Sequence, residues 1–115
     1  MTVIEAYDDA VSAYNNLVEK FKAYSDASSY DGKKDLGKWL AALDKATKEV
    51  EAAYADSKAK TATLEKSLDD YVKANRDQIK DDKQKRDAVD AVDAAIRSLK
   101  EGLQNIRYHL DEYKT

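Results

Sequence analysis

His109 is the only histidine in the chain and cysteine is absent, so few residues are available for metal ligation or nucleophilic chemistry. His109 has Asp111 and Glu112 close by. A di-metal helical site, however, requires two Glu-x-x-His elements and two further glutamates, and the residue three before His109 is Ile106. The spacing predicts a surface histidine near a helix C-terminus, where its charge would complement the helix dipole. Serine nucleophiles need a base and an orienting group beside them, and the serines (12, 25, 28, 29, 57, 67 and 98) are far in sequence from that histidine. Asp31-Gly32-Lys33-Lys34 reads as a turn and a helix start, with no phosphate-cradling glycine motif. The carboxylate pairs Asp8–Asp9, Asp69–Asp70 and Asp81–Asp82 are adjacent residues, which diverge by about 100° on a helix. The expectation is a non-enzyme, with no catalytic, cofactor-binding or metal-ligating residues and no cofactor.

Binding residues are easier to nominate. Six of the eight tyrosines (7, 14, 24, 54, 71 and 113) fall on the main apolar stripes and read as core with hydroxyls at the rim. Tyr30, in a polar segment, and Trp39, just off a stripe, are the candidate protein-contact residues, as aromatics at one end of a helical scaffold. The basic cluster Arg76, Lys80, Lys83, Lys85 and Arg86 is interleaved with Asp77, Asp81, Asp82 and Asp87. Phosphate binding calls for a local basic excess. A nucleic-acid-associated helical protein is therefore only an alternative reading.

The elements that must position these residues are helices. Apolar residues recur at alternating four- and three-residue spacing in three stretches: from Val3 to Tyr24, from Leu36 to Tyr71 and from Val89 to Tyr113. Such a 3.5-residue period describes helices packed nearly parallel or antiparallel. Proline is absent and glycine occurs three times, which suits long helices and disfavours tight-turned sheets. The chain of 115 residues is the size of one domain. The expectation is all-α: a single domain over 1–115, an antiparallel three-helix bundle with coiled-coil-like heptad packing and helices at about 2–24, 34–75 and 87–113.

Two alternatives use the same pattern. A break near 57–63 would give a four-helix bundle. The stripe also continues in phase from Tyr71 through Asn75, Gln78, Asp82 and Lys85 to Val89, which would allow an extended two-helix coiled-coil dimer, at the cost of four consecutive polar seam positions.

Local signals mark the ends. Thr2 and Glu5 have capping-box spacing, and Asp31 or Asp35 is placed to cap the second helix. Ile4, Val11 and Val18 repeat every seven residues beside the first stripe and read as a widened core face. Six acid-first pairs at i,i+4 (Asp44–Lys48, Asp56–Lys60, Asp69–Lys73, Asp81–Lys85, Asp82–Arg86 and Asp93–Arg97) support helix on the outer faces. Laying the predicted lengths together, the first helix covers the second to about residue 58, and the third covers it back to about 49. All three then meet at Ala52, Ala53, Ala55 and Ser57, and the two-helix ends beyond them would need a partner.

Net charge is −3, and residues 1–30 carry all of it. The first ten residues hold Glu5, Asp8 and Asp9 and no basic side chain, unlike a secretory leader. No stretch reaches the roughly 20 apolar residues of a membrane span. A cytoplasmic location is expected, with secretion without a signal peptide as the alternative. For that alternative, Tyr108-His109-Leu110-Asp111-Glu112 carries a Tyr-x-x-x-acid spacing. It resembles the export signal of the small helical hairpin proteins of the type VII secretion (WXG100-like) class, and makes Tyr108 and Glu112 candidate signal residues. The resemblance covers only these residues: Trp39 is followed by Leu40 and Ala41, where that class has its Trp-x-Gly turn. The expected function is a protein–protein interaction module (a small adaptor, inhibitor or assembly factor, phage- or secretion-related) whose partner is another protein or a second copy of itself.

Overall fold

The computed structural model describes residues 2–28 and 35–114, with the side chains of the last two left out. It is all-helical among the described residues: α1 (Val3–Ala27), α2 (Leu36–Ala74), the short α3 (Arg76–Asp81) and α4 (Lys83–Lys114). The rod measures 64 × 21 × 20 Å, about the length of α2 alone at 1.5 Å per residue.

The helix starts follow from their caps. Thr2 Oγ1 accepts from the Glu5 amide at 3.1 Å, and Glu5 returns a contact to the Thr2 amide, completing the capping box. Asp35 accepts from the Lys38 amide at 3.1 Å and caps α2. Asp82 Oδ1 accepts from the Gln84 amide at 3.0 Å and caps α4. Each satisfies an amide that the helix itself leaves without an acceptor.

The charged stretch between the second and third stripes is where the in-phase continuation fails. Asn75 (φ −121°, ψ 24°) and Asp82 (φ −123°, ψ 108°) leave helical geometry, and α3 lies between them. Within α3 only Ile79 is buried. Ile79 lies one residue off the polar seam that an unbroken helix would carry; with the two breaks it is buried. The single long helix behind an extended two-helix dimer is thus replaced by a doubled-back chain. α4 also starts at Lys83, four residues ahead of the expected 87. Of the groups expected to pair here, Asp82 accepts from amides and Lys85 Nζ donates to Gln78 instead, while Asp44–Lys48, Asp69–Lys73 and Asp93–Arg97 form ion pairs at 3.1, 2.9 and 2.7 Å. α2 runs through 57–63 without a break, so the alternative of a fourth long helix does not arise.

Two apolar clusters hold the three long helices. One joins Leu17 and Tyr24 of α1, Val50 and Ala53 of α2, and Leu103, Ile106 and Leu110 of α4. The other joins Ala6 and Ala10, Leu64 and Leu68, and Ile96 and Leu99. The end of α1 meets the early part of α2 and the end of α4, so α2 is antiparallel to both and α1 runs parallel to α4. Leu17, Leu64 and Leu110 are almost fully buried, each contributing roughly 1.5–3 kcal/mol by removal from water.

The three helices overlap over more of α2 than the lengths suggested. Val3 and Leu68 line one groove, so α1 reaches about ten residues beyond 58. Its end lies level with Trp39, whose indole meets Ala27, instead of with the first residue of α2. The first turn of α2 therefore projects beyond α1, and Leu36 and Leu40 are about half exposed although both lie on the stripe. Ala53 and Ser57, four residues apart, are buried at the crossing, whereas Ala52 and Ala55 point outward. Ile4 (75% exposed) and Val18 (41%) are likewise outside the core that their heptad spacing suggested.

The α1–α4 contact has a fixed register. The Phe21 and His109 rings lie 6.1 Å apart, and a Cβ built on Gly102 would fall 2.6 Å from the Tyr14 ring carbon that bears the hydroxyl. Both pairs are 88 residues apart, and the same offset sets Ala95 level with Tyr7. Aromatic residues of α1 thus face small or flat residues of α4 at seven-residue intervals.

Candidate functional site: an apolar groove at one end of the helices

The capped start of α1, the last turns of α2 and the first turns of α4 converge at one pole. Between them lies an open cavity of about 650 Å³ walled by Val3, Ile4, Leu68, Tyr71, Val89 and Val92. Asn75 and Lys85 supply polar groups on its lining. A smaller hollow of about 170 Å³, walled by Ile4, Tyr7 and Ala91, opens between α1 and α4 and shares Val3, Ile4 and Val92 with the first. Val3, Val89 and Val92 are partly buried, while Tyr71 is 38% exposed. Residues of this type offer apolar contact with a few orienting polar groups.

Three ion pairs away from the groove join different helices. Arg107 donates to both carboxylate oxygens of Glu51 (2.9 and 3.2 Å) and to Asp111 at 2.8 and 3.1 Å. Its guanidinium carbon stands 5.3 Å from the centre of the Tyr54 ring. Hydrogen bonding by Glu51, then by Asp111, raises the arginine pKa above its already high value. The Lys73 ammonium is raised too, mainly by its hydrogen bond to Asp69. Lys100–Glu65 (2.5 Å) and Lys20–Glu49 (3.8 Å) tie α2 to α4 and to α1.

The nominated residues are not brought together with the groove. Tyr30 lies outside the described residues. Trp39 is half-buried at the opposite pole, and its Nε1–H donates to the Ala27 carbonyl at 2.6 Å. Tyr108 is 64% exposed and packs edge-on against His109. His109 Nδ1 lies 3.3 Å from Glu112. Among the described residues no cluster of three or more histidine, cysteine or acidic side chains is placed to hold a metal ion, and no helix is long and apolar enough to cross a membrane.

The groove residues carried a signal that was read as core. Val3, Leu68 and Tyr71 sit on the apolar stripes, and the stripe alone does not distinguish a seam facing a helix from one facing an opening at the helix ends. No protein-family model, no curated protein and no solved structure matches this chain.

Proposed function

We propose that the chain is a non-enzymatic protein–protein interaction module: an antiparallel three-helix bundle with coiled-coil-like heptad packing that presents rigid helical faces to a partner, as a small adaptor, inhibitor or assembly factor. The observation that carries this reading is the set of large apolar side chains left outside two complete core clusters. Ile4, Leu36, Leu40 and Tyr108 are each about half exposed or more, and none of them belongs to either core cluster. Leu36 and Leu40 lie one helical turn apart at one pole and Ile4 at the other, and exposed apolar side chains on a rigid scaffold are available as contact anchors.

The test is capture from the native host by the tagged chain, compared with Ile4→Ser and Leu40→Ser variants of unchanged thermal stability. A partner retained by the parent and lost by either variant supports the module. Identical recovery by all three, with a strict monomer by light scattering, overturns it.

A second reading rests on Tyr108 and Glu112, which are both exposed and one helical turn apart on α4. That placement suits a signal read by an export apparatus, and supports secretion as the alternative reading. Retained export of Tyr108→Ala and Glu112→Ala variants would remove this reading.

A further inference from the structure

The chain doubles back through two residues. Between Leu36 and Lys114 only Asn75 and Asp82 leave helical geometry, and α3 between them is itself helical. Residues 75–86 contain neither glycine nor proline, so the turn carries no helix breaker. Helical bonding runs into the first break and out of it: the Asn75 amide donates to the Tyr71 carbonyl at 3.0 Å, and the Ile79 amide to the Asn75 carbonyl at 2.9 Å.

Three features fit a straight helix here better than a turn. The stripe stays in phase from Tyr71 through Asn75, Gln78, Asp82 and Lys85 to Val89, although a doubled-back chain imposes no common phase on α2 and α4. Asp81–Lys85 and Asp82–Arg86 have the favourable acid-first spacing, yet neither forms an ion pair among the described residues. Asp82 accepts from the Gln84 and Lys85 amides, Lys85 Nζ donates to Gln78, and Arg86 donates to the Lys80 carbonyl. The pole where the chain doubles back is also loosely filled, since Tyr71 and Val89 wall the open cavity of about 650 Å³ there.

The register makes the alternative specific. Glu65 pairs with Lys100 and Glu51 with Arg107, and the sequence midpoint of each pair lies between Ile79 and Lys83. Two straightened chains laid antiparallel in this register cross at α3. α4 of each copy then lies on α1 and α2 of the other, with the contacts that the closed chain makes within itself. Asn75 falls opposite the second copy's Lys85, and Gln78 opposite its Asp82, so the polar seam positions meet groups they can hydrogen-bond.

We propose that α4 is an exchangeable arm: at high concentration the chain straightens at Asn75 and Asp82, and two copies trade α4 to form an antiparallel dimer. Both core clusters are rebuilt with α4 from the second copy, so the cost of exchange falls on the hinge and on the burial of Ile79. Swapping an identical element is a low-cost route to a dimer, and mass action sets the balance with the closed monomer. The exchange uses the core and leaves the exposed apolar side chains as they are, so it stands or falls apart from the interaction-module reading.

The experiment refolds the full chain from guanidinium at millimolar and at micromolar concentration and separates the products by size with light scattering. A dimer is expected at the higher concentration only. Its maximum dimension in small-angle X-ray scattering is expected to be about 120 Å, the length of one helix from Leu36 to Lys114, against 64 Å for the closed rod. Lys83 is the first residue of α4, where proline is accommodated, and Asp82 before it is already extended (φ −123°, ψ 108°) as proline requires. Lys83→Pro is therefore expected to keep the parent's melting temperature and to lose the dimer, because proline breaks the straight helix. Asn75→Ala with Asp82→Ala raises helix propensity at both hinges and removes the α4 cap, and is expected to strengthen the dimer about tenfold. Spin labels on Glu65→Cys and Lys100→Cys report the exchange directly. Their short distance is expected to disappear from the dimer when labelled chain is refolded with excess unlabelled chain. A parent that stays monomeric at both concentrations overturns the proposal. So does a dimer that keeps the short distance under dilution or survives Lys83→Pro, since closed copies would then be meeting face to face.

Discussion

The indole nitrogen of Trp39 donates to the carbonyl oxygen of Ala27 at 2.6 Å. Ala27 closes α1, so its carbonyl is one of the last four that the helix itself leaves unbonded. A side chain from the first turn of α2 supplies the donor, coupling the two helices directly across the connection. Trp39→Phe keeps much of the ring and removes the N–H. A loss of about 1 kcal/mol is expected, read as a lower urea midpoint with unchanged slope. A loss near zero would show that the ring's packing alone matters.

Gly102 has a different reason to be fixed. A Cβ there would collide with the Tyr14 hydroxyl and lie 2.6 Å from the ring carbon that bears it. In a free helix, glycine to alanine gains about 1 kcal/mol. Here Tyr14 would have to swing off α4 and give up its packing against both clusters. Gly102→Ala is expected to destabilise by about 1–2 kcal/mol. Tyr14→Phe leaves the ring carbons in the way and gives no relief, whereas Tyr14→Leu makes the alanine favourable. Additive losses when Tyr14→Leu and Gly102→Ala are combined would contradict the contact.

Ser57 is fully buried, and its Oγ has no hydrogen-bond partner among the described residues. Its backbone carbonyl is already used by Thr61 Oγ1 at 2.8 Å. Ser57→Ala removes an unpaired hydroxyl and raises helix propensity, so a gain of about 1 kcal/mol is expected. Calorimetric melting would show it, and a lowered melting temperature would mean that the hydroxyl is paired after all.

Arg107 clamps Glu51 and Asp111 through a planar fork that lysine does not reproduce. Arg107→Lys is expected to lose about 1 kcal/mol, and Arg107→Ala somewhat more, since the side chain also covers Tyr54. The folded-state pKa is raised, so this contribution is complete below arginine's unfolded value and is lost only as pH rises through the folded one. The difference between parent and Arg107→Ala should therefore be flat from about pH 6 to pH 9. A decline within that window would assign the stability to another group.

The heptad stripes and the caps at Thr2 and Asp35 were legible in the sequence because both depend on neighbours within one or two turns. The reach of α1 was not, because it depends on where Ala27 meets Trp39 of α2. The same applies to Ile4 and Val18: their spacing records that they share a face, but which face meets α4 is decided by Tyr14 on Gly102 and Phe21 on His109. Residues 83–86 fell between the helices expected at 34–75 and 87–113, yet Asp82 caps them as the first turn of α4. The end groove stayed hidden in the stripes, since an apolar position near a helix end scores the same whether covered or open.

The alternation of helix directions has a mechanical consequence. α1 starts at one pole of the 64 Å rod and α4 finishes at the other. Tension applied at those two points would slide the parallel pair in opposite senses along its axis. Every layer, from Ile96 to Leu110, would bear load at once instead of peeling in turn. A helical rod loaded in shear resists stretching far better than one unzipped from an end. Attached at both poles, this chain would behave as a stiff strut of fixed length.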